Sequence, residues 1–192
     1  YTGKLNARGV FCRDDVSPTL SHCLIADVAG SGLYITGTAA PTLTHSTITR
    51  CSGDGVFLGS TAPAPSLIGN TITHTSWPVH ITNRAARPDS ISDNIFADNQ
   101  FHGLRHDDPL IVAGDTVTWK DFSGLPYSLG SVSINRDGLL RLPPGLILKF
   151  DLAANYRMNV QGRLDARGTA DAPILFTSLT DDTGGDTNGD GD

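Results

Sequence analysis

Six residues near the middle of the chain, Asp98, His102, Arg105, His106, Asp107 and Asp108, form its densest group of side chains able to do chemistry. Two reactions on polysaccharides use such types. In an eliminative cleavage, carboxylates hold Ca2+ against a uronate carboxylate, which acidifies the adjacent C–H, and an arginine removes the proton. In glycoside hydrolysis two carboxyl groups serve as acid and base, and their separation sets the stereochemistry. Neither pattern is specific. A polar turn in which Arg105 pairs with a surface aspartate explains the same residues, at little net stability. No catalytic assignment is favoured, and Asp98, Arg105, His106, Asp107 and Asp108 stand as candidates.

The run Asp186-Thr-Asn-Gly-Asp-Gly-Asp192 places oxygen-bearing side chains at alternate positions with glycines between them, like the opening of a calcium loop. Asp186, Asn188, Asp190 and Asp192 would be the ligands, Asp181 and Asp182 would add charge, and the Ca2+ would be structural. The run stops before the bidentate acid such loops use, so an Asp/Gly linker is the competing reading. His22 and His45 lie 23 residues apart. With no third ligand in their row, they read as a stacked surface pair rather than a zinc site.

What must position these groups is a repeat. Gly9-Val10-Phe11-Cys12, Gly32-Leu33-Tyr34-Ile35, Gly55-Val56-Phe57-Leu58 and Pro78-Val79-His80-Ile81 recur every 23 residues. The same period carries Thr19-Leu20-Ser21, Thr42-Leu43-Thr44, Ser66-Leu67-Ile68 and Ser90-Ile91-Ser92, then Ile25, Ile48, Ile72 and Phe96. That makes three short strands per coil of about 23 residues, each alternating in and out, stacked at about 4.8 Å per turn as a parallel β-helix. Val10, Leu33, Val56 and Val79, with Cys12, Ile35, Leu58 and Ile81, belong to the core. Cys23, Ser46, Asn70 and Asn94 mark corners, where asparagine can bond across coils or take left-handed conformations. Phe11, Tyr34, Phe57 and His80 face outward as a ladder about 14 Å long over three steps. Flat rings suit the C–H faces of sugars, so this row is the candidate glycan-binding strip; a ladder that only stabilises its sheet is the alternative. The outward Thr and Ser rows are interrupted by Leu24 and Ile95, which argues against an ice-binding array.

Composition agrees with an all-β chain. All 20 acidic residues are Asp, and 21 Gly and 11 Pro leave few helix formers. The net charge of −6 is concentrated at the end, where Asp181, Asp182, Asp186, Asp190 and Asp192 contribute five of the negative charges. No basic stripe exists for nucleic acid, and no apolar run is long enough to span a bilayer. Cys12, Cys23 and Cys51 share no row, so no disulfide is expected. Tyr1 in place of Met and the Asp-rich end are read as a piece of a longer chain.

Together the coils of residues 9–106 and the segment Leu139-Leu-Arg-Leu-Pro-Pro-Gly-Leu-Ile-Leu-Lys-Phe150, Gly162-Arg-Leu-Asp-Ala-Arg-Gly-Thr169 and Ala172-Pro-Ile-Leu-Phe-Thr-Ser178 resemble bacterial extracellular right-handed parallel β-helix proteins of the pectate-lyase-like superfamily. The resemblance implies right-handed coils and a secreted or cell-surface location. It leaves activity open, because the superfamily holds lyases, hydrolases, adhesins and non-enzymatic stalks. Its hydrolases carry Gly-His-Gly and Arg-x-Lys signatures; here Phe101-His102-Gly103 lacks the first glycine and the second is absent. The expected organisation is a coil array over 1–106, an irregular junction over 107–130, further coils over 131–180 that begin a second module, and an Asp/Gly-rich loop or linker over 181–192. Gly3-Lys-Leu-Asn-Ala-Arg-Gly9 echoes residues 162–168, in keeping with tandem modules. The expected function is a non-catalytic scaffold with a glycan as partner. The competitors are a calcium-dependent lyase and a subunit that self-associates end to end or against neighbouring modules.

Overall fold

The protein is described by a computed structural model covering residues 7–59, 61–84, 90–122, 124–151 and 156–190. The described residues contain strands and turns but no helix. The first four coils are β1 (Val10–Cys12), β2 (Thr19–Ser21) and β3 (Leu24–Ala26); β4 (Leu33–Ile35), β5 (Thr42–Thr44) and β6 (Thr47–Thr49); β7 (Val56–Leu58), β8 (Ser66–Ile68) and β9 (Thr71–Thr73); and β10 (Val79–Ile81), β11 (Ile91–Ser92) and β12 (Ile95–Ala97). The next three are β13 (Leu104–His106), β14 (Leu110–Ile111) and β15 (Thr116–Thr118); β16 (Tyr127–Leu129), β17 (Val132–Ile134) and β18 (Leu139–Leu142); and β19 (Ile147–Phe150), β20 (Met158–Val160) and β21 (Arg163–Ala166). The last strand is β22 (Leu175–Ser178).

Every pairing is parallel and joins equivalent strands of successive coils, as the 23-residue period requires. One eight-stranded sheet, β1-β4-β7-β10-β13-β16-β19-β22, runs the whole length. The other two faces are each split: β2-β5-β8-β11 and β3-β6-β9-β12 end, and β14-β17-β20 and β15-β18-β21 begin. Residues 107–130, expected as an irregular junction, therefore carry β14, β15 and β16, and the long sheet passes through without a gap.

Alternation puts Leu33, Val56, Val79, Leu104, Tyr127 and Leu148 in one inward row of the long sheet, all buried. Leu43, Leu67 and Ile91 fill a second face, Ile48 and Ile72 a third. Each such side chain removed from water contributes roughly 1.5–3 kcal/mol, and no coil could hold its share without the next. Cys12 and Cys51 are buried free thiols whose pKa burial pushes up, while Cys23 sits half-buried at a corner.

At the corners asparagine takes the first of its two expected roles, bonding across coils. The left-handed residues are the ones just before the small-polar row: His22, His45 and Asp93 have φ of 54°, 47° and 57°, with Gly69 at 66° between them. Asn70 itself bonds across coils. Its Oδ1 accepts the Ser46 N–H (2.9 Å), its Nδ2 donates to Leu43 O (2.8 Å), and Asn94 repeats the pattern one coil on. A second ladder, missed in the sequence, joins Thr75 N–H to Asn99 Oδ1 (3.1 Å) and Asn99 Nδ2 to Ile72 O (3.0 Å).

Candidate functional site

Pairing registers extend the outward row of the long sheet well past the aromatic residues: Phe11, Tyr34, Phe57, His80, Arg105, Ser128, Lys149 and Thr177 follow one another. The row thus has three parts, an aromatic stack, a charged centre and a covered end.

In the first part, Tyr34 and Phe57 stack face to face at 4.7 Å and 18°. Phe11 meets Tyr34 edgewise at 5.6 Å, and His80 meets Phe57 edgewise at 5.1 Å. The Arg8 guanidinium lies 3.9 Å from the Tyr34 ring centre and 4.4 Å from that of Phe11. Rings stacked along the solenoid axis turn their faces toward each other and their edges outward. The flat faces that motivated the glycan reading are, at Tyr34, covered by Phe57 and Arg8.

The charged centre gathers residues from three coils. His80 Nδ1 lies 2.9 Å from Asp54 Oδ2, and His80 Nε2 lies 3.1 Å from Asp107 Oδ2. Arg105 Nε donates to Asp107 Oδ1 (3.0 Å), and Trp77 N–H donates to Asp54 Oδ1 (3.2 Å). A carboxylate at each ring nitrogen requires both to be protonated, since a lone pair facing a carboxylate would be repelled. Burial pulls the His80 pKa down, but the hydrogen bonds and charges of Asp107 and Asp54 outweigh it and raise it. Burial likewise pushes Asp107 up, and His80 with Arg105 bring it below the usual carboxylate value. Two carboxylates face one imidazolium and one guanidinium, and all four carboxylate oxygens are engaged.

Of the sequence candidates, the structure brings Arg105 and Asp107 together with His80 and adds Asp54. It separates the others. His106 is not on the surface: alternation turns it inward between Ile81 and Leu129, 2% exposed, with Nε2 donating to Asn83 O (3.1 Å). Its Nδ1 has no partner, and burial pushes its pKa down to about 4. His106 therefore lies in the core, apart from Arg105 and Asp107 on the outward face. Asp108 is a turn residue, at φ 46°, whose Oδ1 accepts the Ser131 N–H (2.9 Å). Asp98 occupies a left-handed corner after β12, in the row of Asp27, Arg50 and His74, away from the charged centre. His22 and His45 stack at 5.4 Å and 14°. Asp54 was overlooked because it lies three residues before Phe57, off the outward row, and only its reach across to the next coil brings it to His80.

The covered end is the Asp-rich loop. Asp182, Asp186 and Asp190 bring carboxylate oxygens within 4.8 Å of one another. Asp186 Oδ1 accepts the N–H groups of Asn188 (3.1 Å) and Gly189 (2.6 Å), and Asn188 Nδ2 donates to Asp190 Oδ2 (2.5 Å). Asp182 thus joins Asp186 and Asp190 in the convergent set, while the Asn188 side chain is directed at Asp190; Asp192 lies outside the described residues. A cation already faces the loop from below: Lys149, fully buried, donates from Nζ to the carbonyls of Asp181 and Gly185.

The comparison with family models agrees with this architecture. A model described as the right-handed beta helix region matches residues 6–118, more than half of the chain, and the chain belongs to that family. No curated protein and no solved structure matches. Among the described residues no helix is long and apolar enough to cross a membrane.

Proposed function

We propose that the chain is a rigid, non-catalytic β-helix scaffold of a secreted or cell-surface protein. The observation that carries this reading is the internal pairing of the Asp54, His80, Arg105 and Asp107 cluster on the long sheet. A general base needs a lone pair facing substrate, and a carboxylate already paired with a cation is held in that pair rather than presented to a ligand. Asp54 and Asp107 have each oxygen engaged, and His80 has both nitrogens engaged. The aromatic stack beside them serves the same end, holding successive coils in register.

The reading is tested by incubating the protein with acidic and neutral polysaccharides, with and without Ca2+. Unsaturated uronate absorbance, new reducing ends and retention on each polymer are followed together. No product is expected in any condition; product that is lost in Asp107→Asn would replace the scaffold reading with an enzymatic one. A place on this face where a glycan could make contact is the hollow of about 310 Å3 beside Arg8 and Tyr34. Phe11, whose ring packs against Arg8 and Tyr34, is 43% exposed. Retention abolished by Tyr34→Ala and Arg8→Ala together would add glycan binding to the scaffold role.

A further inference from the structure

The Asp-rich loop does more than end the last described coil. After β22 the chain turns back across the long sheet toward earlier coils. Leu179 N–H still pairs with Phe150 O (3.0 Å), in the ordinary register of neighbouring coils. By Asp186 the loop has reached the segment before β13, where Asp186 O accepts the His102 N–H at 2.7 Å. Thr187 is 1% exposed, its hydroxyl donates to Leu179 O (3.0 Å), and its methyl lies over Gly103. The fit depends on glycine: Gly185 has φ 113°, and a Cβ there would come 2.5 Å from the His102 ring. Beneath this span Ser128 and Lys149, outward-facing by register, are buried.

Lys149 stands in the outward row under the loop, and its ammonium bonds two loop carbonyls. A lysine placed in a strand facing solvent keeps its head in water unless something gives it better partners. Here the partners are Asp181 O and Gly185 O, with the charges of Asp181, Asp182 and Asp186 around them. The loop in turn gathers carboxylates that would repel each other without a nearby positive charge.

The place where the loop lands matters. Between the coil of β10–β12 and that of β13–β15, among the described residues, the long sheet is the one that crosses, and Leu110 N–H adds a bond to Arg84 O. His102 and Gly103 lie at that boundary. We propose that residues 179–190 are a strap clasped by Lys149, which ties the last described coil to this boundary, and that the lysine ammonium, rather than a divalent metal, is the cation that orders it. The inference is independent of whether the outward face is catalytic.

Hydrogen–deuterium exchange on the full chain tests it, with Lys149→Met removing the charge while keeping the length of the side chain. In this variant amides of the strap and of residues 101–103 are expected to exchange at least about tenfold faster, with β4, β7 and β10 unchanged. Adding Ca2+ or a chelator to the unaltered protein is expected to change nothing in the strap. Unchanged strap protection in Lys149→Met overturns the proposal, as does strap protection that requires Ca2+. Should Lys149→Met fail to fold, Gly185→Ala releases the strap at a second point, by its clash with His102, and must produce the same local loss. Retained protection there overturns the proposal equally.

Discussion

His80 and His106 occupy neighbouring coils, one outward and one inward, and they titrate in opposite senses. Burial lowers the His106 pKa to about 4, so the folded state holds it neutral. Its contribution to stability is complete above the ordinary value of about 6.5 and is lost as pH falls toward 4, by roughly 3 kcal/mol. His106→Leu is expected to flatten that acid limb of the unfolding free energy; equal acid sensitivity in the variant would contradict the inward placement. The bond to Asn83 O and the charges of Asp107 and Asp108 oppose burial without reversing it, and the charge of His80 adds to it. His80 behaves conversely, because its folded pKa is raised. Its pairing is complete below about 6.5 and disappears as pH rises through the folded value. Asp54→Asn should therefore cost about 1–3 kcal/mol near pH 6 and much less at pH 9, as read by denaturant unfolding. His106 also shows why the residue scale was hard to read. Strict alternation from Ile81 puts it in the core, but it stands among Arg105, Asp107 and Asp108, and a histidine in such company reads as polar surface.

The corners and ladders are the working elements of the coil. Asn70 satisfies a buried N–H of Ser46 and a buried carbonyl of Leu43 at once. Asn70→Ala leaves both unpaired, and a loss of about 1–3 kcal/mol is expected in thermal or denaturant unfolding. Thr47→Ala, on the outward side of β6, is expected to stay within about 0.5 kcal/mol. The aromatic ladder follows the same logic: Tyr34→Ala removes a stacking partner from Phe57 and a cation–π partner from Arg8, at roughly 0.5–1.5 kcal/mol beyond the area lost. Elements of this kind were legible where one residue type repeats at the period, as Asn70 and Asn94 do. They were invisible where the row changes type, as in Val28, Cys51, Thr75 and Asn99, because the ladder's cross-coil side-chain bonds join the last two. The strap was illegible for a different reason. Alternate Asp and Gly residues carry no periodicity, and the cation that organises the loop lies on another strand, 32 residues before Asp181.

At the scale of the whole molecule, the 23-residue period revealed the solenoid and its three faces, while the spacing of 25 between Val79 and Leu104 hid its continuation. An insertion of two residues between coils leaves strand pairing intact in the long sheet and shifts only the turns, so a fixed period stops matching before the fold does. The interruption of the other two faces makes the boundary after β12 the weakest plane of the solenoid. Hydrogen exchange should be fastest in β11 and β12 among the core strands, and uniform protection across the boundary would contradict this. The central claim is that the polar cluster on the long sheet is consumed by its own contacts. The 15N chemical shifts of the two His80 ring nitrogens, followed across pH, test it most directly. The account predicts an imidazolium with both nitrogens protonated and a midpoint above the ordinary value of about 6.5. A neutral ring at pH 6.5 with one free lone pair would contradict it and return His80 to the list of available bases.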